Sequence, residues 1–367
     1  MRNQPEPMQG SRRSAAPLIS VAIAAIMALF LVACGGVEGP GDEGDESASE
    51  ISEDADRPVR LAAFIQSTEN TYFQADVEGI EKAAAEAEGG EVTVKAFDGQ
   101  FDSAAQVKQI EDANASGNYD AYVVMANDGA AVVPAVKEAI GQGIPVVAGY
   151  VPIGPDITVS EPQIDGVAAT VWHDEPADGR DLADAAIKAC AEEHPDADPC
   201  QVIEISGGNS LPYEAAKLEE FKKQIATADQ NIEMVAQQEG NFLRDQARTA
   251  AQNMLQANPD VNVIATTGDQ MTLGAEDAVK DAGLEGEVTL LGDGASVQGV
   301  QAVQQGRWFS TNAYLPFDEG KLSAEIAIDA ARGIEPEETA ILLRERSPFG
   351  PIYYQDTDVP FDGQWSA

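Results

Sequence analysis

The strongest constraint on the fold is a regular alternation of strand-like and helix-like segments that begins at Val59 and continues almost to the end of the chain. In the first unit, a strand at 59–66 and a polar segment at 67–73 precede an amphipathic helix at 74–88 and a second strand at 91–97. Segments that alternate at this pace are typical of parallel strands connected by helices. Because the strands are too many for one sheet of ordinary size, we predict an α/β fold with two doubly wound, Rossmann-like lobes.

The charge balance excludes one large class of partners. The 367-residue chain has 22 basic and 63 acidic residues, which give a formal net charge of −41. Such a chain repels phosphate backbones, so we predict that it binds no nucleic acid. It also repels anionic lipid headgroups, so attachment to a membrane must have another cause than a basic patch.

The N-terminus has the pattern of an export signal. Residues 1–33 contain two adjacent arginines and an apolar run at 18–32 that is short for a membrane-spanning helix. The tetrapeptide Leu-Val-Ala-Cys that ends at Cys34 resembles the lipobox of bacterial lipoproteins, which implies cleavage before this cysteine and lipid attachment to it; the alternative is an ordinary signal peptide with a chance cysteine. Acyl chains would then anchor the protein to the bacterial cell membrane from outside the cytoplasm. Residues 34–58 are acidic and almost free of large apolar side chains, so we predict a disordered tether.

Two further cysteines, Cys190 and Cys200, lie near the end of a predicted helix and the start of a strand. Exported proteins form disulfides, so we predict that these two are bonded; the alternative is a pair of free, buried thiols. The histidines are His173 and His194, and no Cys/His cluster has zinc spacing, so we predict neither a metal site nor a cofactor.

No catalytic motif is visible. The chain has no G-x-S-x-G elbow, no H-E-x-x-H, no P-loop and no kinase motifs. An exported α/β hydrolase would need a nucleophile beside a base, and none can be recognised. We therefore predict that the protein is not an enzyme.

Polar and aromatic residues recur at or just after the ends of predicted strands. In a parallel sheet these positions lie at one edge, where α/β proteins bind ligands. Amides, carboxylates and flat aromatic faces suit a polyol, because hydroxyls accept and donate directed hydrogen bonds and C–H faces stack on rings. We expect segment 67–73 to form one side of this cleft and to lie outside the core. For a single residue a structural role is equally open: Asp174 and Asp269 could cap helices, and Trp172 could be core. The candidates from this pattern are Asn70, Tyr72, Phe73, Asn127, Tyr150, His173, Asn209, Asp269, Asp293 and Tyr314.

Several of these segments also carry a family resemblance. The body from Val59 to about residue 351 resembles the type I periplasmic sugar-binding proteins, the ribose-binding-like substrate-binding subunits of ABC transporters. The order of the motifs along the chain supports the resemblance. The matching motifs are S-T-E-N-T-Y-F at 67–73, D-G-Q at 98–100, I-P-V-V at 144–147, Phe221 on its helix, G-D-Q-M at 268–271, D-G at 293–294 and L-P at 315–316.

The resemblance implies two lobes that are joined by three crossings, near residues 173–174, 314–315 and 344–347. The ligand would lie between the lobes, and their closure would be recognised by a membrane permease. We expect a monomer. The predicted lobes are 59–173 with 315–344 for the first, and 174–314 with 345–367 for the second.

The chain departs from the family pattern where ligands are gripped. The family's Asp-Arg pair after I-P-V is replaced by Tyr150 and Val151, its asparagine before the Asp of N-D by Gly268, and a ligand arginine by Lys217. The charged side chains that bind ribose in the ribose-binding-like members, which we call the charged fork, are therefore missing. A different monosaccharide or polyol is the better prediction. The predicted roles are hydrogen bonds to hydroxyls from Asn70, Asn127, Asp269 and Asp293, stacking faces from Phe73, Tyr150 and Tyr314, and a hinge-side wall from His173.

Taken with the resemblance, these patterns predict a lipid-anchored, extracytoplasmic solute-binding protein that delivers a sugar or polyol to an ABC importer. Two alternatives remain open from the residues alone. One is a ligand sensor of the same fold that acts on a signalling receptor. The other is a nucleoside-binding lipoprotein.

Overall fold

The computed structural model describes residues 56–367. The predicted signal peptide, the lipidation site Cys34 and nearly all of the predicted tether lie outside the described residues. None of the helices in the described part combines the length and the apolar character that a membrane span requires.

Strands and helices alternate as the sequence predicts, and they form two sheets of six strands each. The strands are β1 (Val59–Ile65), β2 (Val92–Asp98), β3 (Ala121–Met125), β4 (Val146–Tyr150), β5 (Val167–Trp172), β6 (Cys200–Ser206), β7 (Ile232–Glu239), β8 (Val263–Thr266), β9 (Thr289–Asp293), β10 (Ser310–Asn312), β11 (Ala340–Leu342) and β12 (Ile352–Tyr354). The helices are α1 (Thr71–Glu86), α2 (Ser103–Ser116), α3 (Val133–Gly141), α4 (Glu175–Glu193), α5 (Pro212–Ile225), α6 (Arg244–Ala257), α7 (Asp269–Ala282), α8 (Val297–Gln304) and α9 (Pro316–Ala331), with a short 3-10 helix at Leu343–Arg346.

The two sheets have matching strand orders and differ in the direction of the last strand. The first has the order β11-β5-β4-β3-β1-β2 and is parallel throughout, and the second has the order β12-β10-β9-β8-β6-β7, in which only β12 is antiparallel to its neighbour. We call each sheet with the helices packed on it a lobe. In both lobes the strand order reverses beside the first strand, so a crevice opens at the carboxyl ends of the strands. The predicted α/β fold with two doubly wound lobes is confirmed.

The chain passes between the lobes three times: from β5 to α4, from β10 to α9, and from β11 to β12. These connections lie at residues 173–174, 313–315 and 343–351, which include the three predicted crossings. The sequence reasoning missed β11 and β12, because strands of three residues are too short to show a period. The exact limits of the lobes stay a prediction.

One expectation about the first unit is wrong. Segment 67–73 was expected to be a loop outside the core, but α1 begins at Thr71, and Tyr72 and Phe73 are 8% and 3% exposed. The Asn70 side chain caps this helix by accepting a hydrogen bond from the backbone N–H of Tyr72. The ring of Tyr72 is covered by Tyr314 of the second crossing and Trp365 of the C-terminal tail. The ring of Phe73 packs against Phe101 and Tyr150. A local sequence pattern cannot reveal such long-range contacts.

The predicted disulfide is present between Cys190, near the end of α4, and Cys200, at the start of β6. Both residues are fully buried, and their Cα atoms are 6.0 Å apart. The bond ties a helix of the second lobe to β6, the strand next to the edge strand β7 of its sheet.

Candidate functional site

A small cavity lies between the lobes, where the carboxyl ends of strands from both sheets meet. Its volume is about 30 Å³, which is room for about two water molecules. Its walls come from the starts of α1 and α7, the ends of β4 and β9, the loops after β7, β8 and β9, helix α5, the second crossing and the C-terminal tail. The lining residues are Asn70, Tyr72, Phe73, Tyr150, Lys217, Phe242, Thr267, Gln270, Asp293, Gly294, Tyr314 and Trp365.

A larger hollow, of about 700 Å³, opens elsewhere on the second lobe. Lys188 and Tyr354 are among its lining residues, and much of its wall comes from segments that lead into β9 and β10. It therefore lies at the amino ends of these strands, opposite the edge where α/β proteins bind ligands. The smaller cavity is the better candidate for the ligand site, because it lies at the carboxyl ends of the strands, where the strand order of each sheet reverses.

Tyr72 is the centre of an aromatic cluster in the cavity. Its ring makes edge-to-face contacts with Phe73, Tyr150, Tyr314 and Trp365, at centroid distances of 5.1, 5.7, 5.8 and 5.6 Å. Such pairs hold each other's orientation and add to the stabilisation from burial. Aromatic side chains make up half of the residues that line the cavity.

Glu319 on α9 positions two of these tyrosines. Its Oε2 accepts a hydrogen bond from the Tyr72 hydroxyl at 3.0 Å, and its Oε1 accepts one from the Tyr150 backbone N–H at 2.6 Å. That second bond holds Tyr150 in the left-handed region, at a φ of 66°, which is rare for an aromatic residue. Gly79 allows α1 to approach α9 closely, because a Cβ there would clash with the Phe317 carbonyl group. No sequence signal marked Glu319.

The second lobe contributes a buried ion cluster around Lys217. The Lys217 Nζ lies 2.9 Å from carboxylate oxygens of Glu175, Asp178 and Asp293, and it donates a hydrogen bond to the Tyr314 hydroxyl at 2.8 Å. The lysine is 2% exposed. The cluster links α4, α5, the end of β9 and the second crossing, so it fixes the floor of the cavity.

One ammonium group serves three carboxylates, and the pKa values of two of them, Asp178 and Asp293, shift in opposite directions. Burial alone would lower the pKa of Lys217, but the charges of Asp178, Asp293 and Glu175 outweigh burial and raise it. Burial opposes ionisation of Asp178, but the charge and hydrogen bond of Lys217 outweigh it and lower the pKa of Asp178. The pKa of Asp293 is raised by burial and by repulsion from Asp178.

Of the eleven predicted ligand residues, seven line the cavity and four do not. The seven are Asn70, Tyr72, Phe73, Tyr150, Lys217, Asp293 and Tyr314. None of these placements tests a ligand contact, so their roles stay predictions.

Asn127 and Asn209 lie away from the cavity. Asn127 is completely buried behind the end of β3; its backbone N–H donates to Gln106, and its side-chain amide has no hydrogen-bond partner within residues 56–367. Asn209 is exposed, and its backbone N–H donates to Glu239.

Asp269 and His173 are buried and occupied by structural contacts. The Asp269 carboxylate accepts hydrogen bonds from the Ser296 N–H and hydroxyl and from the Thr311 hydroxyl, at 2.7 to 2.9 Å. The His173 ring stacks on Tyr314 with a centroid distance of 4.4 Å, and its Nε2 lies 3.6 Å from Glu319. His173 thus supports the hinge side of the site from behind, while Asp174 beside it caps α4.

Sequence reasoning missed five lining residues: Phe242, Thr267, Gln270, Gly294 and Trp365. A signal for Phe242 existed, because Gly-x-Phe follows the edge strand of each sheet, at 99–101 and at 240–242. Trp365 had none. It comes from the C-terminal tail, and its indole N–H bonds to a carbonyl group that lies 71 residues earlier in the chain.

Comparisons with known proteins agree with this architecture. A family model described as a periplasmic binding protein domain matches residues 61–335. The ribose import binding protein of Bacillus subtilis is 25% identical over 320 residues, which cover 87% of this chain and 95% of the relative. The D-ribose/D-allose-binding protein of Pseudomonas aeruginosa is 26% identical over 283 residues, which cover 76% and 84%.

Solved structures share the fold. A periplasmic solute-binding protein of an ABC transporter from Actinobacillus succinogenes, with bound D-allose, has a TM-score of 0.68 and 23% identity, over 82% of this chain and 98% of the other. A solute-binding protein from Mycobacterium smegmatis, with bound glycerol, has a TM-score of 0.68 and 21% identity, over 84% and 99%. The chain therefore belongs to the periplasmic binding protein family, and it has the fold of the type I sugar-binding members.

Proposed function

We propose that this protein captures a monosaccharide or a similar polyol between its two lobes, outside the cytoplasm, and delivers it to an ABC importer. The observation that carries the proposal is the aromatic cavity at the carboxyl ends of both sheets. The relatives named above are described as binding proteins for ribose and allose, and the neighbouring structures hold D-allose and glycerol. They support binding and transport rather than catalysis.

Four polar groups of the cavity wall are available to a ligand. They are the Asn70 Nδ2, the Tyr150 hydroxyl, the Gln270 amide and the Asp293 Oδ1, and they have no hydrogen-bond partner in the part of the chain that the structure describes. They come from α1, β4, α7 and β9, so they surround the cavity. The Asn70 Nδ2 donates, the Asp293 Oδ1 accepts, and the Tyr150 hydroxyl and the Gln270 amide can do both. Such groups among aromatic faces match the alternating hydroxyl and C–H surface of a polyol.

The charges of the site favour a neutral ligand over a sugar acid or a phosphorylated sugar. Among residues 56–367, no arginine lines the cavity, and the ammonium of Lys217 is already bonded to three carboxylates. An anionic ligand would therefore find no free cation among the described residues of the cavity wall to pair with it. The missing charged fork also disfavours ribose, whose recognition in the family depends on that fork.

Ligand entry requires the lobes to move. The cavity has room for about two water molecules, whereas a monosaccharide is several times larger. The three crossings at 173–174, 313–315 and 343–351 are the segments that can absorb such a hinge motion. We propose that the lobes separate to admit the ligand and close on it, and that a permease recognises the closed form.

A thermal-shift screen of the purified protein tests the ligand class. The panel contains D-ribose, D-allose, D-fucose, myo-inositol, glycerol and adenosine. A ligand at 100 times its Kd stabilises a protein by about 2.7 kcal/mol, which a melting curve resolves. We expect a shift with a sugar or polyol other than ribose. A shift with adenosine alone would replace the proposed ligand class by a nucleoside.

We also propose that the protein is anchored through a lipid on Cys34 and acts as a monomer. The anchor rests on the lipobox pattern of the N-terminus. Labelling cells with an alkyne-modified fatty acid tests it, since the wild-type protein should take up the label and Cys34→Ser should not. A protein that is released from the cells without label would contradict the anchor.

A further inference from the structure

The C-terminal tail returns to the cavity after the last strand. The tail, residues 355–367, follows β12 and lies beyond residues 61–335, which the family model matches. Phe361 packs against Phe349 of the second lobe, with ring centroids 4.9 Å apart. Trp365 then places its indole beside Tyr72, and it is 5% exposed. The tail is therefore a packed part of the molecule.

The tail is bonded to the second lobe at three points. The Trp365 indole N–H donates to the Gly294 carbonyl group at 2.7 Å, and the Trp365 carbonyl group accepts a hydrogen bond from the Val297 N–H at 2.9 Å. The Ala367 N–H donates to the Gln298 side chain at 2.9 Å. These bonds fix the indole relative to the loop that carries Asp293.

The same few residues also contact the first lobe. The Gln364 side chain exchanges two hydrogen bonds with Asp318 at the start of α9, at 2.6 and 3.3 Å. The indole of Trp365 meets the ring of Tyr72 edge to face at 5.6 Å. The tail thus crosses the cleft, and the lobes cannot separate without breaking one set of these contacts.

The loop beside the tail is shaped to receive the indole. Gly294 has a φ of 141°, and a Cβ at this position would lie 2.6 Å from the Trp365 ring. A side chain here would therefore displace the indole from the cavity wall. The wall position of Trp365 depends on this glycine as much as on the hydrogen bonds.

We propose that Trp365 is a ligand-contacting residue, and that the tail couples occupation of the cavity to closure of the lobes. This deepens the proposed function and rests on it. The indole supplies an aromatic face between the loop of Asp293 and Tyr72, where the C–H face of a polyol can stack. Ligands with a continuous apolar face are bound more tightly for this reason than fully hydroxylated ones.

The test combines affinity with tryptophan fluorescence, and it uses the panel ligand that gives the largest melting shift. The chain has three tryptophans, and Trp172 and Trp308 do not line the cavity. The variants are Trp365→Ala and Trp365→Phe. Phe361→Leu serves as the matched control, because it alters the packing of the tail outside the cavity.

We expect Trp365→Ala to bind about tenfold more weakly, as the loss of an aromatic contact predicts. The fluorescence of the wild-type protein should change on binding, and Trp365→Phe should lose that change while it still binds. Phe361→Leu should retain both affinity and signal. If Trp365→Ala does not fold, the inference is tested by Trp365→Phe alone, through the loss of the fluorescence change on ligand binding.

Two failures are distinguishable. If the wild-type protein binds and Trp365→Ala has an affinity within about twofold of it, the inference is overturned and the proposed function stands. A ligand-dependent signal that persists in Trp365→Phe overturns it likewise when the alanine variant is unfolded. If the wild-type protein binds no sugar or polyol of the panel, the proposed function is overturned, and the inference falls with it.

Discussion

The rings of Phe101 and Phe242 stack face to face between the two lobes, with centroids 5.6 Å apart and an interplanar angle of 24°. Each is the last residue of a Gly-x-Phe segment that follows the edge strand of its sheet, at 99–101 and at 240–242. In both segments the last two residues have positive φ, between 51° and 53°. Equivalent turns of the two lobes therefore meet, and they form a clasp across the cleft.

Removing one side of this clasp should make ligand release faster. Phe101 does not itself line the cavity, so Phe101→Ala removes the stack between the lobes without deleting a side chain of the cavity wall, although its ring also packs against Phe73. We expect a dissociation rate that is about five to tenfold higher, which corresponds to the loss of one aromatic pair. Stopped-flow measurement of ligand release gives this rate.

Tyr119→Ala is the control for the clasp. Tyr119 makes aromatic contacts with Phe97 and Tyr122 inside the first lobe. Its loss should lower the melting temperature but leave ligand release unchanged. Equal release rates in Phe101→Ala and the wild-type protein would show that the stack does not hold the lobes together.

Replacing Lys217 should strongly destabilise the second lobe. Lys217→Met leaves Glu175, Asp178 and Asp293 without their shared counter-ion in a buried site. Removal of one partner from a buried ion cluster typically costs about 3–5 kcal/mol, which urea unfolding measures. Lys223→Met is the matched control, because Lys223 is exposed and its side-chain pairs should contribute less than about 1 kcal/mol. A loss of similar size in both variants would contradict the central role of the cluster.

Glu214 should make the protein less stable as the pH rises. Burial raises the pKa of Glu214 from 4.5 to about 7, and only its Oε2 accepts hydrogen bonds, from Gly207 and Thr267. Between these two pKa values the folded state binds more protons than the unfolded state. Stability therefore falls as the pH rises from about 4.5 to 7, by about 3 kcal/mol in total. Below pH 4.5 the carboxyl group is protonated in both the folded and the unfolded state, so it adds no pH dependence to the stability.

Glu214→Gln isolates this contribution. Glutamine keeps an acceptor oxygen but does not ionise, so the variant should match the wild-type protein near pH 4 and exceed its stability at pH 8. The difference between their unfolding free energies, measured across this range, should follow the titration of Glu214. Glu219→Gln, at an exposed position of the same helix, is the control variant. A constant difference across the range for Glu214→Gln would contradict the raised pKa.

Asn70 should contribute to stability through its oxygen and to binding through its nitrogen. Its Oδ1 caps α1, whereas its Nδ2 faces the cavity wall without a protein partner among residues 56–367. Asn70→Asp retains the cap, because aspartate is an equally good N-cap, and it removes only the donor. We expect an unchanged melting temperature with about tenfold weaker ligand binding, measured by calorimetry.

Asn70→Ala completes the comparison, because it removes both groups. It should lose about 1 kcal/mol of stability in addition to affinity. Ligand binding by Asn70→Asp at wild-type strength would show that the amide does not contact the ligand.

The sequence predicted those parts of the molecule whose structure is determined by residues that are close together in the chain. The strands and helices from β1 to α9 follow from periodic apolar residues, and the cap at Asp174 follows from its position ahead of α4. The burial of Tyr72 is different, because rings from three other segments cover it, those of Tyr150, Tyr314 and Trp365. Long-range packing of this kind leaves no trace in a short window of sequence.

The site was predictable only in part for the same reason. Seven of the eleven predicted residues line the cavity, but the pattern could not separate Asp293, which lines it, from Asp269, which is bonded to Ser296 and Thr311. Trp365 joins the site through the path of the tail, which no periodicity encodes. Tertiary contacts thus decide which of many plausible side chains reach the ligand.

The central claim is that the cavity between the lobes is the ligand site. A crystal structure with the panel ligand that gives the largest melting shift tests it most directly. We predict electron density for the ligand between the lobes, within hydrogen-bonding distance of Asn70 and Asp293 and in contact with Trp365. Density in the outer hollow beside Lys188 and Tyr354, with the inter-lobe cavity unchanged, would contradict the account.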